Sequence, residues 1–161
     1  AFISNPCMIS IEDSESIMVQ QKAKGMLRKA GLKCTPGRVA MLSVLLEADH
    51  ALSQAEILER LEGSGLNRVS VYRGLHAFTE AGLAHRVEAG DRLWRFGTCT
   101  CGSHVHCHPH FTCRCCGQVE CLNSVSLPQI KLLGGYRVEE QEIYIRGLCP
   151  RCAEGNKGVL R

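Results

Sequence analysis

Two C-x-x-C pairs, Cys113/Cys116 and Cys149/Cys152, constrain this chain more than any other feature. A two-residue gap lets one tight turn point both sulfurs to the same side, and Gly117 suits a knuckle that needs positive φ. Two such turns can set four thiolates at the corners of a tetrahedron, the geometry Zn²⁺ accepts in closed structural sites. The competing use of the same residues is a disulfide framework. Eleven cysteines in 161 residues leave one thiol over in any all-disulfide scheme, and disulfide density belongs mostly to small secreted domains. Residues 1–20 include acidic side chains and no basic segment ahead of an apolar one, so no secretory signal is expected. No apolar run approaches the roughly 20 residues that span a bilayer. The expectation is a soluble, cytoplasmic protein without a membrane partner, its thiols kept reduced for metal. The net charge of +3 permits nucleic-acid binding without arguing for it.

The two halves of the chain differ. Up to about residue 82 the pattern is helical, whereas nine of the eleven cysteines and five of the seven histidines lie from His85 onward. Residues 1–17 show no clear period and are expected to be an arm. A first helix is expected over about 18–30, with Val19, Ala23, Met26, Leu27 and Ala30 on one face and Gly31 stopping it. Thr35-Pro36 supplies an N-cap and a first-turn proline for a second helix, striped by Val39, Leu42, Leu45 and Leu46. Ser53-Gln54-Ala55-Glu56 matches a capping box and opens a third helix. A fourth starts around 67–70 and ends near Ala81-Gly82, with Val71, Leu75 and Phe78 facing the core. Leu83–Glu88 and Arg92–Phe96 alternate around Ala89-Gly90-Asp91 as a β-hairpin.

Short helices followed by a hairpin are the plan of a winged helix-turn-helix. The face its last helix leaves outside carries Ser70, Tyr72, Arg73 and His76, residue types that read base edges or grip phosphate in a major groove. Arg38, Arg68 and the wing residues Arg86 and Arg92 are placed to hold the flanking backbone.

Ala30-Gly31-Leu32-Lys33-Cys34-Thr35-Pro36-Gly37-Arg38, Ser70-Val71-Tyr72-Arg73-Gly74-Leu75, Glu80-Ala81-Gly82-Leu83 and the two C-x-x-C pairs together resemble the ferric uptake regulator superfamily of bacterial metalloregulators, over about residues 22–153. The resemblance implies an α+β chain: an N-terminal winged helix-turn-helix domain and a small C-terminal α/β dimerisation domain with a Cys₄ zinc site. The boundaries expected are an arm over 1–17, the DNA-binding domain over 18–96, a hinge over 97–103, the dimerisation and metal-binding domain over 104–153, and a tail over 154–161. Tyr72 and Arg73 are the DNA readers that the resemblance implies.

It also implies a separate regulatory metal site near the hinge, and here the residues argue for themselves. Residues 99–110 hold Cys99, Cys101, Cys107, His104, His106, His108 and His110. Alternation along a strand would turn all four imidazoles to one side. By resemblance, His108 and His110 match the family's histidine pair ahead of the first zinc cysteine. His85 and Cys99 fall where zinc-sensing members keep ligands, and Cys121 aligns with an acidic ligand. That thiol departs from the usual pattern; Glu120 is adjacent, but alternation turns it to the other face. The candidate set is His85 and Cys99, two of His104, His106, His108 and His110, and Cys121 as an optional member. Mixed N/S donors suit Zn²⁺ better than Fe²⁺ or Mn²⁺, which prefer more oxygen. The positions of a further family metal site hold Pro109, Pro128 and Gln141, so that site is expected to be absent or degenerate. A short helix over 126–133 and a strand over 136–146 are expected between the zinc pairs. Cys7, Cys34 and Cys115 have no assigned role.

The function expected is a homodimeric, zinc-responsive repressor of metal-uptake genes. It would bind double-stranded operator DNA, carry one structural and one regulatory Zn²⁺ per chain, and have no catalytic residues and no small-molecule substrate. The alternatives are an iron- or peroxide-sensing member of the same superfamily, and a zinc-ribbon or thiol-redox module without sensing. A redox C-x-x-C needs a low-pKa cysteine at a helix N-terminus, and neither pair is followed by a long helical pattern.

Overall fold

A computed structural model describes residues 11–88, 92–98, 109–122, 125, 132, 134–137 and 143–155. Helix α1 (Ile11–Lys29) begins well before the expected start at 18, so residues 11–17 are helix and not an arm. Residues 14–18 are all exposed. This stretch therefore has no buried stripe for a periodicity argument to find, and apolar burial starts only with Ala23 and Leu27.

The next elements follow from their caps. In α2 (Pro36–Glu47) the Thr35 hydroxyl accepts from the Arg38 N–H, and Pro36 stands at the first position, where its missing N–H costs nothing. A two-residue strand β1 (Leu52–Ser53), absent from the sequence expectation, leads into α3 (Gln54–Arg60). Its capping box is complete: Ser53 Oγ accepts from the Glu56 N–H, and the Glu56 carboxylate accepts from the Ser53 N–H at 2.7 Å. Helix α4 (Arg68–Glu80) is capped by the Asn67 side chain, which accepts from the Ser70 N–H at 2.9 Å.

The hairpin is β2 (Ala84–Glu88) and β3 (Trp94–Thr98), antiparallel with Val87 opposite Arg95 and His85 opposite Gly97. β1 joins the other edge of β3, giving the order β1-β3-β2. The expected hinge start at residue 97 is corrected by this register: Gly97 and Thr98 are strand residues, paired with His85 and Ala84. One core under the helices and this sheet contains Leu27, Leu42, Leu52, Ile57, Val71, Leu75, Phe78 and Phe96.

A second sheet has the order β5-β4-β6. β4 (His110–Cys113) pairs antiparallel with β5 (Val119–Cys121) and parallel with β6 (Tyr144–Gly147), and helix α5 (Pro150–Gly155) follows. The parallel pair requires a long crossover. The helix expected over 126–133 falls almost wholly outside the described residues, as do residues 138–142 of the strand expected over 136–146; residues 136, 137 and 143 are not strand, which starts only at Tyr144. The tail expected from 154 begins inside α5.

The two sheets touch. Ala51, just before β1, donates its N–H to the Val119 carbonyl at 2.8 Å, and Ala51, Val87 and Val119 form a small buried cluster.

Candidate metal centres

The knuckle is built by local turns. Gly117 sits at φ 73°, and its N–H donates to the Cys113 carbonyl at 3.0 Å, closing the turn between β4 and β5. Parallel pairing of Cys113 with Gly147 brings β6 alongside and delivers Cys149, with Cys152 one turn into α5. One donor atom from each of Cys113, Cys116, Cys149 and Cys152 lies within 4.8 Å of the other three. The Cys149 N–H donates to Cys113 Sγ at 3.3 Å. Backbone N–H groups, from Cys116 first and then Cys149, lower the Cys113 thiol to about 6, favouring thiolate at neutral pH. Cys152 is pushed upward by its thiol neighbours, Cys149 foremost and then Cys116. A group in which one thiol ionises readily and another resists suits a soft divalent cation, which can hold four thiolates together. The donor set therefore fits zinc.

The second centre follows from strand periodicity. Val119 faces Val87 in the junction cluster. Two residues along β5 and two back along β2 keep the same faces, so Cys121 meets His85. His110 is the cross-strand partner of Cys121 on β4 and joins them. His85 Nε2 lies 3.2 Å from Cys121 Sγ and 3.1 Å from His110 Nε2, and donor atoms of all three fall within 4.8 Å of one another. His110 is buried at 1 % exposure, whereas His85 and Cys121 are half-buried. Burial first, and then the charge of Glu120, raises the Cys121 thiol to about 12, so the metal-free thiol holds its proton at neutral pH. Two imidazoles and a thiol fit a borderline-soft ion, which would displace that proton on binding.

The expected regulatory set is thus only partly on view. His85, His110 and Cys121 come together, including the thiol counted as optional. Cys99, His104, His106 and His108 lie outside the described residues. The expectation that Glu120 turns to the other face agrees with its pairing to Phe111, one step out of register with the His110–Cys121 pair. Sequence reasoning missed two neighbours. Gly97 presses directly on this cluster, and its signal was a glycine inside a strand pattern. Asp49 and His50, bonded to each other through carboxylate and Nδ1, line a cavity of about 60 Å³ with Gly97 and Cys121; nothing in their sequence spacing announces it.

Along α4, Tyr72, Arg73 and His76 are exposed, and Ser70 is half-buried. Gly74 lets α4 pack tightly on α2, since a Cβ there would stand 2.2 Å from Met41 Cε. That approach places Arg38, Ser70 and Arg73 around one shallow cleft. Arg38 also donates to the Lys33 carbonyl at 3.3 Å, while Arg68 is exposed at the start of α4. On the wing, the Arg86 guanidinium stacks 4.9 Å from the centre of the Trp94 ring.

Comparison with known proteins places this architecture. The sequence matches the profile of the ferric uptake regulator family over residues 29–145, more than half of the chain. It is 33% identical over 146 residues to a ferric uptake regulation protein of Klebsiella pneumoniae, covering 84% of this chain and 90% of that one. It is 27% identical over 140 residues to a peroxide operon regulator of Bacillus subtilis, covering 83% and 93%. A solved zinc uptake regulator complexed with zinc and DNA is similar in fold, with a TM-score of 0.63 at 22% identity over 87% of this chain and 96% of that one. This chain, helices and a hairpin followed by a small mixed unit with a four-cysteine cluster, has a fold similar to that of solved regulators, and it belongs to the ferric uptake regulator family of metal-dependent transcription regulators.

Proposed function

We propose that the protein is a zinc-responsive repressor that binds operator DNA as a homodimer and controls metal-uptake genes. The observation that carries this reading is the N₂S donor set: His85 comes from the winged-helix sheet, His110 and Cys121 from the second sheet. His85, His110 and Cys121 would hold a borderline-soft ion whose charge would neutralise the thiolate, and nitrogen and sulfur donors suit Zn²⁺ better than Fe²⁺ or Mn²⁺, which take more oxygen. Cys99 or one of His104, His106 and His108 would supply the fourth donor. Cys113, Cys116, Cys149 and Cys152 would hold a permanent structural zinc.

His85 and Cys121 belong to different sheets, so an ion held between them would tie the DNA-binding unit, α1 to β3, to the dimerisation unit that carries β4 to α5. The tie matters only if the paired geometry binds the ion better than the open one. Tyr72 and Arg73, supported by Ser70, His76, Arg38 and Arg68, would then reach successive major grooves from the two protomers. Exposed Tyr144 and Ile145 on β6, an outer strand of the second sheet, support a dimer contact. A regulator of genes of this kind works in the cytoplasm.

The test is to select duplexes from a randomised pool separately with zinc, ferrous iron and manganese, then titrate each metal against binding of the selected DNA. Zinc should activate binding at the lowest concentration; activation by Fe²⁺ alone overturns the zinc reading in favour of iron or peroxide sensing. Arg73→Ala should weaken specific binding by about 10-fold or more, the scale of one bidentate base contact, with metal content unchanged.

A further inference from the structure

Gly97 lies in the middle of β3, opposite His85, and is buried. Its backbone does not call for glycine. Among the described residues the glycines at positive φ are Gly31, Gly63, Gly65, Gly82, Gly117, Gly134 and Gly135, and Gly97 is not one of them. Glycine in a strand interior has no side chain to pack and weakens the strand, so its presence points to something close by. That neighbour is the second metal centre. A Cβ built on Gly97 would stand 3.0 Å from Cys121 Sγ, 3.2 Å from His85 Cε1 and 3.4 Å from His85 Nε2.

Neither donor can retreat cheaply. Cys121 ends a three-residue strand whose register is set by His110, Phe111 and Thr112 on one side and by the Ala51–Val119 bridge on the other. The His85 ring is confined between Gly97, Cys121 and His110. A methyl group at 97 must therefore displace the thiol or the imidazole by a few tenths of an ångström, in a centre whose donors are held on both sides.

We infer that Gly97 is a positioning residue of this centre: the missing side chain is what lets His85 and Cys121 close on one ion from two different sheets. The inference rests on the metal reading above and deepens it, because it assigns the size of the site to a residue that contributes no donor atom. It also explains why a strand accepts glycine at a position that the φ angle leaves open to alanine.

The test uses the full chain and Co²⁺, whose thiolate charge-transfer absorption counts metal–sulfur bonds. Wild-type protein should take up two equivalents, the second adding a thiolate band that Cys121→Ser diminishes. Gly97→Ala should keep the first equivalent and bind the second at least tenfold more weakly. If Gly97→Ala binds both with wild-type affinity, the positioning role is overturned while the metal reading stands. If wild-type protein shows no second equivalent sensitive to Cys121→Ser or His85→Ala, both are overturned. Should Gly97→Ala fold poorly, melting temperatures at one equivalent of zinc decide the matter. The loss caused by Gly97→Ala should shrink when Cys121→Ala removes the facing sulfur, and an equal loss in both backgrounds overturns the inference.

Discussion

The two cysteine-bearing centres are built in opposite ways. The knuckle is assembled mostly by short-range geometry: a turn at Gly117 holds Cys113 and Cys116, and a second turn into α5 holds Cys149 and Cys152. The junction centre owes nothing to local turns, since His85, His110 and Cys121 come from β2, β4 and β5 in two sheets. A centre confined to one unit can stabilise only that unit. A centre whose donors are shared between units reports on their relative placement, and so can act as a switch.

The largest effect is expected from emptying the knuckle. Cys113→Ser or Cys149→Ser should unfold the second sheet, because structural zinc in small sites contributes about 10–16 kcal/mol of apparent binding free energy to folding. Loss of the β5-β4-β6 amide protection in hydrogen exchange, with the α1–α4 core still protected, is the expected result. Emptying the junction should act differently. His85→Ala should lower affinity for the second zinc by about 100-fold, which is about 2.7 kcal/mol, and leave one zinc and both sheets intact. Calorimetric zinc titration reads this directly, and unfolding of the second sheet by His85→Ala would erase the distinction drawn here.

Smaller changes test the apolar side of the junction. Val119→Ala removes two methyl groups from the Ala51–Val87–Val119 cluster and should cost about 1–2 kcal/mol, detected as a lower denaturation midpoint. Zinc stoichiometry should stay at two. The smallest effect is expected at α3. Burial alone would raise the Glu56 carboxyl, but the hydrogen bonds from the Ser53 hydroxyl and N–H lower it overall. A carboxylate held below its unfolded value adds stability above about pH 4.3, and that stability is lost as pH falls through the lower folded value. Glu56→Gln should therefore cost about 1 kcal/mol at pH 7, with the difference shrinking below pH 4, while both metal centres remain as in the wild type.

Much of the first unit was legible in the residues, because caps are local chemistry. Thr35-Pro36, the Ser53/Glu56 box and Asn67 mark helix starts where the structure has them. Residues 11–17 were misread as an arm because their helix buries nothing at 14–18, and β1 was missed because two residues carry no period. At the junction, alternation placed Glu120 and Cys121 on opposite faces, and the resemblance to a known family pointed to His85. Neither could say that the Cys121 thiol would come within hydrogen-bonding distance of His85, or that Gly97 would be the surface against which they close.

What depends on neighbours along the chain was legible in the residues: the helix caps, the hairpin, and each of the two C-x-x-C turns, whose meeting in one knuckle already rests on the pairing of β4 with β6. Only the tertiary structure decided the second centre, because its donors are brought together by the register of β2 against β3, the register of β4 against β5, and the Ala51–Val119 contact between the sheets. Register is a property of paired strands, and a shift of one residue in either sheet would turn His85 or Cys121 to the opposite face.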